Sequence, residues 1–156
     1  MTWFEVSDES ESTVRGTRDE VWAVLTDPDA IVRMTPLLQA IEVDGDHWAW
    51  QLGVVKALGQ SLAPRFTERM SFDEGERITF THDPQADRDE VAGVEGTYVL
   101  SDGEDPEHTV VAIDFTVRVR LPLPKVAGPG VRTAMRGVLA TMGGGFAKGL
   151  QRELAG

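Results

Sequence analysis

The sequence contains no cysteine, which excludes disulfide bonds, thiolate nucleophiles and cysteine metal sites. It has one tyrosine and only three lysines, Lys56, Lys125 and Lys148, so arginine supplies most of the positive charge. With 26 acidic and 15 basic residues, the formal net charge is −11. A field of that sign repels phosphate backbones and anionic lipid surfaces. We therefore expect no nucleic-acid partner, and the overall charge gives membrane contact no support.

Long apolar runs are also missing, since no stretch approaches the roughly 20 apolar residues that span a bilayer. Residues 1–9 carry neither the basic region nor the apolar core of a signal peptide, so we expect a cytoplasmic location. Apolar residues make up 41% of the 156. That size and share predict one domain, residues 1–156, around one core.

The N-terminal part of the chain predicts one strand and two short helices. Residues 3–16 form the expected strand. Thr17 and Glu20 then have the spacing of a capping box, which predicts a helix start. A second short helix is expected to begin after a cap at Asp27 or Asp29.

Between residues 47 and 121 the apolar side chains recur at every second position, with charged or polar residues between them. This alternation is typical of an antiparallel sheet with one apolar face. The apolar positions are Trp48, Trp50, Leu52, Phe66, Met70, Phe72, Ile78, Phe80, Val111, Ile113, Phe115, Val117, Val119 and Leu121. Turn pairs such as Asp44-Gly45 and Glu74-Gly75 separate the strands.

After Pro129 the spacing changes to three and four residues, which predicts a helix of about 25 residues with one apolar stripe. The stripe comprises Val131, Met135, Val138, Leu139, Met142, Phe146, Leu150 and Leu154. Gly143, Gly144 and Gly145 interrupt it, and each glycine costs a helix about 1 kcal/mol relative to alanine. The sequence leaves open whether they are helical. One hypothesis is that they soften the helix so that it can admit a ligand.

The segment Arg18-Asp19-Glu20-Val21-Trp22-Ala23-Val24-Leu25-Thr26-Asp27-Pro28 resembles the opening helix of the START-type lipid-transfer and polyketide-cyclase superfamily. The resemblance in element order covers nearly the whole chain. It implies the α+β helix-grip fold: a curved antiparallel sheet of about six to seven strands, two short helices after the first strand, and a long C-terminal helix across the concave face. It also implies a cavity between sheet and helix that holds a lipid, polyketide, quinone or similar apolar molecule. Most small relatives share no catalytic motif, so the resemblance implies no active site.

Two polar residues, Glu68 and His82, interrupt the apolar face of the sheet. If the hairpin over residues 73–77 pairs Phe72 with Ile78, antiparallel register places Glu68 opposite His82, with Cβ atoms about 5 Å apart. Such a pair could anchor a ligand or exchange a proton. Alternatively, His82 lies at a strand end that opens to solvent, and the pair has no function.

The predicted cavity wall combines the apolar sheet face with the helix stripe. Its candidate ligand-contacting residues are Trp48, Trp50, Phe66, Glu68, Met70, Phe80, His82, Tyr98, Ile113, Phe115, Met135, Leu139, Met142 and Phe146. Tyr98 needs a partner for its hydroxyl, either a ligand head group or backbone and water. His47 and His108 lie far from His82 in sequence and none has a neighbour at ligand spacing, so we expect no metal site and no cofactor.

Three functions remain open on these observations. The first is non-catalytic binding or transport of a hydrophobic small molecule, which needs only the cavity. The second is an aromatase/cyclase-type enzyme, for which Glu68 and His82 are the weak catalytic candidates. The third is an accessory domain that docks a protein through apolar loops such as residues 53–59 and 121–126. The apolar face favours the first and leaves enzymatic activity undecided.

Overall fold

A computed structural model describes all residues, 1–156. The chain forms nine strands and three α-helices. Their bounds are β1 Thr2–Arg15, α1 Arg18–Leu25, α2 Pro28–Met34, β2 Leu38–Asp44, β3 His47–Leu52, β4 Val55–Ala57, β5 Gln60–Leu62, β6 Arg65–Asp73, β7 Arg77–His82, β8 Ala92–Asp102, β9 His108–Leu121 and α3 Gly128–Ala155. A short 3₁₀ turn over Lys125–Ala127 precedes α3.

Seven strands make one antiparallel sheet in the order β1-β9-β8-β7-β6-β3-β2. The predicted α+β helix-grip architecture is therefore confirmed, with the long C-terminal helix and the two short helices in their expected places. The face of the sheet turned towards α3, called the inner face below, carries the alternating apolar residues. Its most buried members include Trp48, Met70 and Ile78.

The capping pattern at Thr17 is confirmed in detail. The Thr17 hydroxyl accepts a hydrogen bond from the Glu20 backbone N–H, and the Glu20 carboxylate accepts one from the Thr17 N–H, each at 3.1 Å. Of the two alternatives for the second cap, Asp27 is the one used, because its carboxylate accepts from the Asp29 N–H at 3.1 Å. Pro28 follows at the first helical position, where its missing N–H costs nothing.

Helix α3 is continuous for 28 residues, so Gly143, Gly144 and Gly145 are all helical. A Cβ added at Gly149 would lie 2.8 Å from the Met34 Cα, and one at Gly145 would meet the Pro36 ring. These two glycines let α3 approach α2 closely. Gly143 and Gly144 instead border open space. None of the helices is long and apolar enough to span a bilayer.

One segment differs from expectation. Residues 53–59, for which the apolar sequence between glycines predicts a loop or ordinary edge structure, contribute to a β4–β5 hairpin that forms its own two-stranded sheet. Leu58 (φ 54°) and Gly59 (φ 73°) make the turn in the left-handed region. This backbone geometry matches a tight two-residue hairpin connection, for which glycine is well suited.

Candidate functional site

An apolar cavity of about 180 Å³ lies between the sheet, the β4–β5 hairpin and the N-terminal half of α3. The wall is built of 19 residues: Leu52, Val55, Ala57, Leu58, Gln60, Leu62, Pro64, Phe66, Ala92, Val94, Val117, Val119, Leu121, Val131, Ala134, Met135, Val138, Leu139 and Met142. Gln60 is the one polar side chain among them. The site can thus exclude water and hold apolar groups, while offering one amide for orientation.

Three elements position this wall. On β8 and β9, Val94, Val117 and Val119 lie at alternate positions and so point to the inner face. On α3, the three- and four-residue spacing from Val131 to Met142 turns one stripe towards the same space. The β4–β5 hairpin covers the remaining side.

A separate small cluster, in which Phe4, Val119 and Val131 are buried, adjoins the cavity and contributes Val119 and Val131 to its wall. The larger core, with Leu25, Ile31 and Leu150 fully buried, fills the space under α1, α2 and the C-terminal half of α3. The space between sheet and helix is therefore divided into a packed half and an open half.

The structure distributes the predicted ligand-contacting residues between these two halves. Phe66, Met135, Leu139 and Met142 line the cavity. The other ten lie outside its wall, in or beside the packed core: Trp48, Trp50, Glu68, Met70, Phe80, His82, Tyr98, Ile113, Phe115 and Phe146. Trp50 lies directly opposite Phe66 in the sheet and stacks on it, with ring centroids 6.0 Å apart, and so supports this wall residue from the side.

The wall residues predicted from the sequence did not include the β4–β5 hairpin residues or the C-terminal part of β9. The signals were present, because Val117, Val119 and Leu121 continue the apolar alternation and residues 53–59 form an apolar segment between glycines. Alternation identifies the face of a strand but not the level along the strand at which the helix stops packing against it.

Glu68 lies on the same face of β6 as Phe66, two residues further along the strand, and is 1% exposed. The β7–β8 ladder ends at Phe80 and Gly96, so the backbone N–H of Val94 has no strand partner on that side. It donates instead to Oε1 of Glu68 at 3.1 Å, while Oε2 has no hydrogen-bond partner. Burial raises the pKa of Glu68 to about 9. At neutral pH Glu68 is therefore a neutral carboxylic acid with an O–H donor available.

The predicted register is confirmed, because Glu68 lies directly opposite His82. The expected side-chain pair does not form, however. Nε2 of His82 hydrogen-bonds to Oε1 of Glu90 at 2.9 Å. Glu90 also accepts from the backbone N–H and the hydroxyl of Thr67, both at 2.7 Å. Glu90, from the β7–β8 loop, thus takes the place that the sequence assigned to Glu68.

Tyr98 packs between aromatic rings in the larger core. Its ring centroid lies 5.3 Å from that of Phe80 and 6.1 Å from that of Phe146. Burial raises the pKa of Tyr98 to about 12, and the nearby Glu68 adds to the shift. The phenol therefore stays protonated at all physiological pH values and is a poor proton acceptor.

A second, polar basin lies on the opposite face of the sheet, among Glu42, Asp44, His47, Ala49, Arg65, Thr67, Asp83, Pro84, Gln85 and Arg88. His47 holds this region together: Nε2 lies 2.9 Å from Oδ2 of Asp83 and Nδ1 lies 2.8 Å from Oδ1 of Asp46. The hydrogen bond to Asp83 raises the pKa of His47. No group of three or more histidine, aspartate or glutamate side chains has the arrangement of a metal site.

A family model described as polyketide cyclase/dehydrase and lipid transport matches residues 5–154. No curated protein matches the chain significantly. Among solved structures, a conserved protein from Geobacillus kaustophilus is 20% identical, with a TM-score of 0.75 over 96% of this chain and 95% of the other. A START superfamily protein from Mycobacterium smegmatis is 18% identical, with a TM-score of 0.66 over 97% of each chain. The Zhui aromatase/cyclase from a Streptomyces species is 16% identical, with a TM-score of 0.70 over 97% and 94%. At these identities the structures share the fold.

Proposed function

The chain belongs to the polyketide cyclase/dehydrase and lipid transport family, and we propose that it binds a hydrophobic small molecule in the cavity under the N-terminal half of α3. The observation that carries the proposal is the composition of the wall, where 17 of the 19 residues are hydrophobic. Such a wall gains free energy by burying apolar surface and offers little to a charged ligand. The family description, which includes lipid transport, supports this role.

The volume of the cavity limits the size of the group that it can enclose. An apolar protein cavity of about 150 Å³ is known to admit benzene. At about 180 Å³, this cavity accommodates one aromatic ring or a short acyl segment. A longer lipid, polyketide or quinone would enter by its apolar end, and Gln60 is the side chain that would meet a polar group inside.

An aromatase/cyclase-type reaction is the second candidate, and Glu68 is the observation that favours it. Glu68 has a free Oε2 and is two residues from Phe66 on β6, and its Oε1 accepts from Val94; both Phe66 and Val94 line the cavity. As a neutral acid Glu68 could donate a proton or a hydrogen bond to a ligand carbonyl. Binding alone has the stronger support, because the wall itself contains no group that titrates near neutral pH.

The proposal is tested with a neutral apolar probe and a variant that fills the cavity. Ala134 lines the cavity on α3, whereas Ala140 on the same helix is exposed. We expect N-phenyl-1-naphthylamine to insert its phenyl ring into the cavity of the wild type and to bind with increased fluorescence. We expect Ala134→Trp to reduce the affinity at least tenfold and Ala140→Trp to leave it unchanged. Equal affinities in all three proteins would show that the probe does not use the cavity.

The natural ligand is then sought directly. Native mass spectrometry of the purified wild type should show a bound apolar molecule that is absent from Ala134→Trp. Turnover of that molecule by the wild type, lost in Glu68→Gln while binding persists, would establish the enzymatic candidate instead of simple binding.

A further inference from the structure

The elements around the cavity carry a charge opposite to that of the rest of the protein. We define the rim as residues 52–64 and 121–142, which include the β4–β5 hairpin, the 3₁₀ turn and the first half of α3. The rim contains none of the 26 acidic residues. It contains four cations: Lys56, Lys125, Arg132 and Arg136. Although the net charge of the whole chain is −11, the rim around the cavity is therefore positively charged.

Two acidic side chains, one in the β7–β8 loop and one on β8, are paired with arginines of β9 and so do not cancel this positive charge. Asp89 forms an ion pair with Arg120, and Glu95 lies 3.5 Å from Arg118. These two arginines are additional to the four cations of the rim. At physiological salt the Debye length is about 8 Å, so carboxylates at the far end of the fold are largely screened from the rim.

The rim also exposes large aliphatic side chains. Val126 is 85% exposed, Val54 59% and Leu58 52%. A Cβ built at Gly130 would lie 3.9 Å from Cδ1 of Leu58, which places the hairpin tip beside the start of α3. Leu58 also lines the cavity, so it stands at the cavity mouth. Exposed aliphatic residues and cations thus occupy one surface.

We propose that the rim is the surface by which this protein docks on an anionic lipid membrane, with the cavity mouth facing the bilayer. Cations attract anionic head groups, and aliphatic side chains between them insert at the boundary of head groups and acyl chains. An apolar ligand could then pass between bilayer and cavity without crossing water. Docking itself does not require the ligand-binding role.

Two other occupants fit the rim less well. A second copy of this chain would bring four cations against four cations in a symmetric contact, which is repulsive. An acidic protein would satisfy the cations but would need an apolar patch matched to the exposed side chains. An anionic lipid surface offers negatively charged head groups and, beneath them, apolar acyl chains, so it accounts for both the cations and the exposed aliphatic side chains of the rim.

The test uses vesicles of equimolar phosphatidylglycerol and phosphatidylcholine, with phosphatidylcholine alone as reference. We expect the wild type to float with the anionic vesicles, to bind the neutral ones weakly, and to be released by rising salt. Lys56→Glu with Lys125→Glu should weaken binding at least about 30-fold, because each basic residue at an anionic surface contributes about fivefold. Val126→Ser should weaken it without any change of charge.

The matched control is Lys148→Glu with Arg152→Glu, which changes the net charge by the same amount. Lys148 lies about 30 Å along α3 from Gly128 at 1.5 Å per residue. We expect the control to bind within about threefold of the wild type. An equal loss in both double variants would show that only net charge matters, and a wild type that ignores anionic vesicles would also overturn the proposal.

The remaining outcomes separate this proposal from the ligand-binding one. Ala134→Trp should lose the fluorescent probe yet keep vesicle binding, and the Lys56/Lys125 variant should keep the probe in solution. If the wild type instead binds polyglutamate but no vesicles, the partner is an acidic polypeptide and the membrane proposal is wrong. A concentration-dependent dimer abolished by the Lys56/Lys125 variant, without vesicle binding, would assign the rim to self-association and likewise overturn it.

Discussion

The carboxyl group of Glu68 accepts a hydrogen bond from the backbone N–H of Val94, at the level where β8 has separated from β7. A buried N–H without a partner is costly, so Glu68 stabilises the opening between the two strands. The same opening lets the His82 imidazole lie over Gly93, where a Cβ would come within 2.7 Å of the ring Cγ. Separation of the strands is thus supported by side chains that replace the missing ladder bonds.

The buried Glu68 predicts a specific dependence of stability on pH. Its pKa is raised from 4.5 to about 9 in the folded protein, so the folded state keeps a proton that the unfolded state releases. Stability that Glu68 contributes is therefore full below pH 4.5 and is lost as pH rises towards 9, by up to about 1.4 kcal/mol per pH unit. Glu68→Gln removes this titration.

The measurement is urea denaturation of wild type and Glu68→Gln between pH 5 and 9. We expect Glu68→Gln to gain stability relative to the wild type as pH rises, because the amide oxygen can still accept from the Val94 N–H. Glu11→Gln, at an exposed position on β1, is the control and should follow the wild type. A constant difference between wild type and Glu68→Gln across this range would mean that Glu68 is ionised in the fold.

The sequence predicted the strand register here but not the side-chain partners. The turn after Phe72 fixes the pairing with Ile78, and the two-residue periodicity carries it on to Glu68 and His82. The partner of His82 comes from a loop, residues 83–91, whose path follows no periodicity. The sequence pattern therefore could not identify Glu90 as the partner of His82. In the structure Glu90 lies two residues before β8, where its carboxylate also reaches Thr67.

The same distinction applies to the cavity. The apolar stripe of α3 and the apolar face of the sheet follow from spacing alone. Which half of that space is packed and which is open depends on α1 and α2, which fill one half through residues such as Leu25 and Ile31. No local pattern in the strands records where those helices lie.

The glycines of α3 are predicted to differ sharply in their tolerance of a methyl group. Gly144 has open space where a Cβ would lie, so Gly144→Ala should stabilise the helix by about 1 kcal/mol. A Cβ at Gly145 would overlap the Pro36 ring, so Gly145→Ala should destabilise the protein by about 1–3 kcal/mol through overpacking. Thermal or urea denaturation measures both variants.

Gly144→Ala also tests whether a soft helix gates the cavity. If it does, Gly144→Ala should slow dissociation of the fluorescent probe while raising stability. Higher stability with an unchanged dissociation rate would exclude gating by these glycines. Gly143→Ala, also in open space, serves as a second variant with the same expectation.

His47 is predicted to titrate above its ordinary pKa of 6.5, because it hydrogen-bonds to Asp83. The same bond holds the pKa of Asp83 below 3.8. The stabilising contribution of His47 is full below about pH 6.5 and is lost as pH rises through the raised value. That of Asp83 is present above about pH 3.8 and is lost only at lower pH. The His47–Asp83 pair therefore stabilises the fold most between about pH 3.8 and pH 6.5.

NMR titration of the histidine ring protons checks this directly. We expect the His47 midpoint above 6.5 in the wild type and lower in Asp83→Asn. Asp105→Asn, which removes the partner of His108, should leave His47 unchanged. In stability measurements, Asp83→Asn should be less stable than the wild type at pH 5.5, with the difference shrinking at pH 9. An unchanged His47 midpoint in Asp83→Asn would contradict the assignment.

The β4–β5 hairpin is predicted to be the first part of the structure to open. Its two three-residue strands pair only with each other, and an isolated hairpin of this kind has marginal stability in water. Its side chains Val55, Leu58 and Leu62 form part of the cavity wall, and Leu62 also packs against the small cluster that contains Phe4. Hydrogen exchange should therefore be much faster at Ala57 and Gln60, the pair that flanks the turn, than at the paired β8–β9 residues Val99 and Ala112.

A ligand in the cavity would contact the hairpin residues Val55, Leu58 and Leu62 and so stabilise the closed hairpin. Saturation with the fluorescent probe should then slow exchange in residues 55–62 by about 100-fold at a ligand concentration 100 times Kd, because the open form does not bind. Exchange in β8 and β9 should change far less when it occurs through local fluctuations. In Ala134→Trp, with the cavity filled, the probe should have no effect on the hairpin. Protection spread evenly over the sheet would instead indicate that the ligand acts on global unfolding and that the hairpin is not the entrance.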